Sequence, residues 1–399
     1  MPSRSIIHTY SQVTFTEKVG APEMPAEVVV TPEELVYRTI LRKDLKEDRA
    51  AFLDTKIPGS EAKINYPLIG PGVSENADQV IPVTEPHGFN LGGAVMPAGV
   101  VNNLHLHFTA EVFVCFAGEW QFRWGVDGAD GEAVVSDGDV ISIPTWIFRG
   151  FTSKTDDAWL YTALGRDHSG GLIWAPSVIE KAAQYGMHLS ADNKIIETEP
   201  GVTPEGVELI KPLSADQLSA LRRYSVDDMR QRLAKPADLV WSDEPFLDST
   251  IAGGGAQLAL VVGYGLTEDR FQAPRLTDPH GLSLAWLRAE RGRGMLQHRH
   301  DQSQVLIVKT GRLKVTLNRD NPVSVELGPY DTLSVPVGAW RSFESVGEEP
   351  AQVVVLTEGD GRVYLEWAPE VVAQAEANGV TLDPNSYLAP ASLLARRTT

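Results

Sequence analysis

An all-β chain of two tandem barrels, with helices confined to its flanks, is the architecture this sequence predicts, and three observations predict it. The first is self-similarity at a fixed period, the mark of a duplicated unit. Thr84-Glu-Pro-His-Gly88 recurs as Thr277-Asp-Pro-His-Gly281, Leu104-His-Leu-His107 as Gln297-His-Arg-His300, and Ile173-Trp-Ala-Pro-Ser-Val178 as Glu366-Trp-Ala-Pro-Glu-Val371, all at an offset of 193. The second is period-two alternation of apolar and polar residues inside each copy, punctuated by Gly, Pro, Asn and Asp, which is the pattern of many short strands. The third is that helix start and stop signals fall only before, between and at the ends of the copies.

Taken in order, residues 1–51 form an N-terminal arm in which Thr31, Pro32 and Glu34 supply an N-cap, a first-turn proline and a reciprocal glutamate ahead of Leu35. Barrel one spans 52–190, with its clearest strand stretches at 113–122 and 134–143. It closes on a helix from Pro176 to Tyr185 that Gly186 ends. Residues 191–245 form a helical connector, opened by the same capping pattern from Ser214 to Gln217. Barrel two spans 246–399, with strand stretches at 305–317 and 323–335 and a closing helix from Pro369 to Asn378 before Gly379. Small indels shift the register by one residue: Phe52-Leu-Asp-Thr55 matches Phe246-Leu-Asp-Ser249 at 194, and Pro144 matches Pro336 at 192.

Composition bounds the partners. A chain of 399 residues with 43% hydrophobic and 22% charged residues has enough apolar content for two buried cores. Its 35 Lys plus Arg against 53 Asp plus Glu leave a net charge of −18, a field that repels nucleic-acid backbones and anionic membrane surfaces. The single cysteine, Cys115, can form no internal disulfide. Neither a signal-peptide h-region in the first ten residues nor an apolar run long enough to span a bilayer is present in the sequence. The expectation is a soluble, cytoplasmic protein with a small-molecule substrate and no nucleic-acid or membrane partner. Pairing through exposed sheet edges would make it a homo-oligomer.

The chemistry concentrates in the His-x-His pairs. Along a strand, alternation sends His105 and His107 to one face and Leu104, Leu106 and Phe108 to the other. Glu111, four residues on, opens the next apolar strand and brings a carboxylate beside them. Two imidazoles and a carboxylate with open coordination positions suit non-haem Fe(II) above all, and Mn(II) or Zn(II) as well. The second copy keeps His298 and His300 but has Gln304 in the carboxylate's place, so it is expected to hold metal more weakly. His87 and His280, each in Pro-His-Gly and 18 residues before the first histidine of their pair, are candidate acid-base groups at the barrel mouths, or turn histidines that cap backbone groups. Trp120, Trp124, Trp146 and Phe148 line a slot for a flat ring or else pack the core. The glycine clusters precede strands instead of opening helices and read as turns, and no nucleophile elbow is present.

These residues resemble the cupin superfamily, and the duplication resembles a bicupin, two double-stranded β-helix barrels in one chain. Gly99, His105, His107, Glu111 and Gly118 hold the places of that family's first motif, and Gly138, Asp139 and Pro144 those of its second. The fourth metal ligand's position is Arg149, and Arg341 in the second copy. Among bicupins, the dioxygenases that cleave gentisate, salicylate and 1-hydroxy-2-naphthoate look similar at His298-Arg299-His300 and at Pro144-Thr145-Trp146-Ile147-Phe148-Arg149. That resemblance implies a metal-dependent dioxygenase acting on an aromatic or other small carboxylate, with the metal at His105, His107 and Glu111 and with Arg149 clamping the substrate carboxylate in a bidentate fork. Two alternatives are a cupin isomerase, lyase or decarboxylase in which His87 or Glu111 moves protons, and a non-catalytic small-molecule binding barrel. Arg149 has a second reading too, as a guanidinium paired with Glu111 at the centre of a metal-free barrel.

Overall fold

The computed structural model describes residues 24–394, so 1–23 of the expected arm and 395–399 of the expected second barrel lie outside the described residues. Barrel one consists of two sheets. One has six strands in the order Leu233–Ala234, Val140–Ile143, Glu111–Ala117, Ala158–Gly165, Phe89–Met96 and Ile64–Ile69. The other has five, Leu172–Trp174, Val101–His107, Arg149–Ser153, Glu119–Trp124 and Gly131–Ser136. Barrel two repeats the five-stranded order with Glu366–Trp367, Gly294–Arg299, Arg341–Ser345, Leu313–Leu317 and Val323–Leu327, and its larger sheet has seven strands. Both His-x-His strands therefore occupy the same place, between the strand that opens with the arginine and the short strand before the closing helix.

Each of the four long strand stretches is a pair of strands. The run at 113–122 breaks at Gly118, where φ is +79° and an added Cβ would lie 2.9 Å from the Ala158 Cα. Period-two alternation continues through such a tight turn, so hydrophobic pattern alone does not mark it. The closing helices, Pro176–Gln184 and Pro369–Ala377, fall where proline and glycine place them.

The larger sheets are buried on both faces. In Glu111–Ala117, Phe113 and Cys115 point into barrel one, while Val112, Val114 and Phe116 pack with Trp286, Val305, Ile307 and Val354 of barrel two in a single apolar core. That is why this strand reads as a continuous apolar run after Glu111. The same parity puts the Glu111 side chain inside the barrel with Phe113 and Cys115.

The arm and the connector are themselves part of the duplication, and they are exchanged. The helix Pro32–Arg38 in the arm and Val226–Arg230 in the connector both begin with a capping box, on Thr31 and Ser225. After them, Thr39–Ile40 pairs with a strand of barrel two, and Leu233–Ala234 pairs with a strand of barrel one. Leu35 joins the core of barrel two, and Met229 joins that of barrel one. Each segment preceding a barrel thus packs on the other barrel. The connector helix expected at Ser214 is present, as the short Ala215–Ser219 with its capping box.

Candidate functional site

Strand register builds the first site. His105 lies directly opposite Arg149 on the neighbouring strand, and Glu111 reaches in from the facing sheet. The His105 Nδ1–H donates to the Asn103 carbonyl at 2.7 Å, which leaves Nε2 as a bare lone pair. His107 Nδ1 lies 3.4 Å from the Gly171 carbonyl, and its buried Nε2 has no hydrogen-bond partner. That Nε2 stands 3.7 Å from Glu111 Oε2. Burial and the neighbouring guanidinium hold the His105 imidazole well below its usual range, so it is neutral.

Arg149 is fully engaged. Its Nε donates to Glu111 Oε2 at 3.1 Å, its Nη2 donates to the same oxygen, and its Nη1 donates to the His105 carbonyl at 3.0 Å. Glu111 Oε1 accepts from Thr162 Oγ1 at 2.9 Å. Burial pushes the Glu111 carboxyl up, to about 8, while the guanidinium on Oε2 favours its charged form. A cavity of about 90 Å³ opens onto His105, His107 and Glu111 and is walled by Tyr66, Leu91 and Phe113 among others, with no lysine or arginine in its lining. The expectation that Arg149 clamps a substrate carboxylate is corrected here: its donors point at Glu111 and a backbone carbonyl, and it is absent from the cavity wall.

The second site has the same frame with different contents. His298 Nδ1 donates to the Leu296 carbonyl at 2.7 Å, as in barrel one. Arg341 Nη1 donates to His300 Nε2 at 2.9 Å and to Gln304 Oε1 at 3.2 Å. Its Nη2 is held by the carbonyls of Pro336 and Ala339, each at 2.9 Å. Burial pushes this guanidinium down to about 9, so it remains a cation at neutral pH. His298, His300, Gln304 and Arg341 all have 0% exposure, so barrel two closes over them.

Neither constellation fits a metal ion. Among the described residues no three His, Cys, Asp or Glu side chains converge closely enough to hold one. In barrel one the carboxylate is already forked by Arg149, and in barrel two His300 and Gln304 already accept from Arg341. The triad expected at His105, His107 and Glu111, and the weaker one at His298, His300 and Gln304, are therefore brought together as side chains, but around a guanidinium.

His87 and His280 lie between the barrels instead of at their mouths. His87 Nε2 meets Ser334 Oγ of barrel two at 2.7 Å, and His280 Nε2 meets Ser142 Oγ of barrel one at 2.6 Å. Their Nδ1 atoms bond the carbonyls of Glu85 and Asp278, the turn-capping role. The aromatic slot does not form either: Trp120 and Trp124 are buried in the barrel core, whereas Trp146 is exposed.

Four contributing residues, Thr162, Lys63, Glu75 and Glu268, carry no motif in the sequence. Thr162 holds Glu111; its counterpart is Val355, so hydroxyl and carboxylate change together between the copies. Lys63 pairs with the buried Asp54 and donates to Asn102 at 2.8 Å, whereas the matching position in barrel two is Ala256. Glu75 and Glu268 each accept from a buried tryptophan, Trp174 and Trp367, at 2.8 Å. Comparing the copies position by position exposes the first two, because a charge kept in one half and lost in the other marks an unequal site.

The family model for the cupin domain matches residues 286–357, within barrel two. No curated protein sequence matches the chain. Among solved structures, oxalate decarboxylase from Lactobacillus farciminis in complex with formate aligns with 14% identity over 88% of this chain and 95% of its own, at a TM-score of 0.51. A variant of oxalate decarboxylase from Bacillus subtilis aligns with 13% identity over 90% of this chain and 86% of its own, also at 0.51. A Bacillus subtilis oxalate decarboxylase structure concerned with its Mn(II) centres aligns at 11% identity and a TM-score of 0.49, over 90% of this chain and 86% of its own. At these identities the likeness is one of fold, and the gentisate-type resemblance finds no counterpart among these neighbours. A cupin domain in the second half, the same strand order in the first and the likeness to these neighbours give the chain the fold of two tandem cupin barrels.

Proposed function

We propose that this two-barrel chain has one working barrel, the first, which takes a small uncharged molecule into its cavity and acts on it by proton transfer, in the isomerase or lyase class of cupin chemistry. The observation that carries this is the asymmetry of the two frames. Barrel one opens a cavity onto His105, His107 and Glu111, whereas barrel two buries every equivalent residue completely. The structural neighbours are oxalate decarboxylases, which are lyases too, but the cavity of barrel one has no cation in its lining to receive an oxalate-like anion. A ring-cleaving dioxygenase would need an iron centre where Glu111 is bound by Arg149, and that occupied carboxylate argues for the proton-transfer class instead.

Glu111 is the proton carrier. Burial raises its carboxyl towards neutrality, which suits a group that must both take and return a proton near pH 7. Arg149 compensates the charge when Glu111 is ionised, and Thr162 orients its other oxygen. The bare Nε2 atoms of His105 and His107 are acceptors for hydroxyl or N–H donors on the substrate, and apolar side chains such as Leu91 and Phe113 pack against its carbon skeleton. With no cation in the lining, a carboxylate would enter without a counter-charge, and an uncharged molecule is favoured.

The test is a ligand-detected NMR screen of small hydroxy ketones, lactones and hydroxy acids in D2O, following binding and solvent exchange of carbon-bound hydrogen. Exchange catalysed by the wild type is expected to fall by about 100-fold or more in Glu111→Gln. Circular dichroism of that variant, recorded first, separates loss of the carboxyl from loss of the fold. Undiminished exchange in Glu111→Gln would overturn the role of this carboxyl, and selective binding of the acids would overturn the uncharged substrate.

A further inference from the structure

We infer that Arg149 and Arg341 are resident cations standing in for a metal ion, so that neither barrel holds one, and that barrel one retains a latent metal site which this guanidinium suppresses. Metal content does not depend on which reaction barrel one performs, so the inference stands or falls separately from the proposed function.

The argument begins with position. Both arginines sit directly opposite the first histidine of their pair, Arg149 against His105 and Arg341 against His298. From there each guanidinium bonds to groups a metal would need. Arg149 donates through two nitrogens to Glu111, and Arg341 donates to His300 Nε2 and Gln304 Oε1. A histidine Nε2 that accepts from a guanidinium has no lone pair left for a metal.

Charge supports the same conclusion. In barrel one the guanidinium and carboxylate cancel, so a divalent ion added beside them would leave two uncompensated positive charges at a site 4% exposed or less. In barrel two the arginine has only neutral acceptors, so an added ion would meet an existing cation. A guanidinium keeps its proton at neutral pH, so neither arginine relieves this by becoming neutral. The two copies share the arginine but differ in their remaining ligands. Barrel one keeps His105 with its tautomer set for Nε2 ligation, an unpartnered His107 Nε2 and a carboxylate. Barrel two offers two imidazoles and a neutral amide. Replacing the guanidinium by an imidazole should therefore release a charged, three-histidine donor set in barrel one and a weaker neutral one in barrel two.

Full-length wild type, Arg149→His and Arg341→His would be incubated with Mn(II), dialysed, and assayed for bound metal by elemental analysis, with folding checked by circular dichroism. Wild type should remain sub-stoichiometric, Arg149→His should retain about one Mn(II) per chain, and Arg341→His should resemble wild type. A folded Arg149→His that binds no metal would overturn the latent site. Should that variant not fold, the wild type decides alone: Mn(II) should leave its Tm unchanged. A metal-dependent rise in Tm that His105→Ala abolishes would show that the guanidinium does not exclude the ion.

Discussion

Glu111 and Arg149 show how much one residue's neighbour matters. A buried pair of this kind contributes little net stability, but removing one member strands the other. Glu111→Gln leaves the Arg149 cation with the His105 carbonyl and a neutral amide, and is expected to cost about 3–5 kcal/mol in urea unfolding. The double variant with Arg149→Met should recover part of that loss, and a double variant no more stable than the single would show that the pair is not coupled. Other buried carboxyls, Glu75 and Glu268 among them, make stability pH-dependent. Burial raises Glu75 from 4.5 to about 7 and Glu268 from 4.5 to about 8. Their folded forms therefore hold protons that the unfolded chain releases from about pH 4 upward, so the stability they contribute is complete at lower pH and lost as the pH rises towards 8. The buried histidines, held neutral in the fold, add the opposite slope up to about pH 6.5, so urea midpoints should fall from about pH 6.5 to pH 8, and Glu268→Gln should flatten that fall. An unchanged slope would place the titration elsewhere.

At the scale of elements, the exchanged arms tie each barrel to a segment that precedes the other. The helix Pro32–Arg38 has only seven residues, too few to be stable alone, and it is held by its capping box and by Leu35 in the core of barrel two. Leu35→Ala should lower stability by about 2–5 kcal/mol. Hydrogen exchange should place the loss in the strands of barrel two, whereas Met229→Ala should loosen barrel one. Protection lost in the opposite barrels would contradict the exchange. The histidine turns serve the same junction: His87 on Ser334 and His280 on Ser142 are matched contacts across it, and Arg38 and Arg232 donate to the same two serines at 3.2 and 3.1 Å. A turn histidine in a repeat gives no hint of this, because its partner lies far away in the chain.

The whole molecule is joined by an apolar core that draws on both larger sheets, from Phe116 and Tyr161 on one side to Trp286 and Leu356 on the other. Because neither sheet can expose that face without losing its packing, the two barrels are expected to unfold as one cooperative unit, seen as coincident transitions in tryptophan fluorescence and far-UV circular dichroism and a single calorimetric peak. Two resolved transitions would show that the barrels are separable.

What the sequence determined by itself was everything that depends on local pattern and on comparing one half with the other. The 193-residue repeat, the paired histidines on one strand face, the capping boxes at Thr31 and Ser214 and the closing helices all follow from spacing and residue type. Tertiary structure decided the rest, because it depends on where long side chains end and which distant strands meet. A sequence places Arg149 in the fourth ligand's position without saying whether its guanidinium faces a substrate or Glu111, and several rotatable bonds separate those outcomes. It shows a helical arm before each barrel without showing that Leu35 crosses to barrel two, since that contact is made by residues more than two hundred positions away. The cavity in barrel one belongs to the same category: it is set by how two facing sheets pack, and no residue of its wall announces it alone.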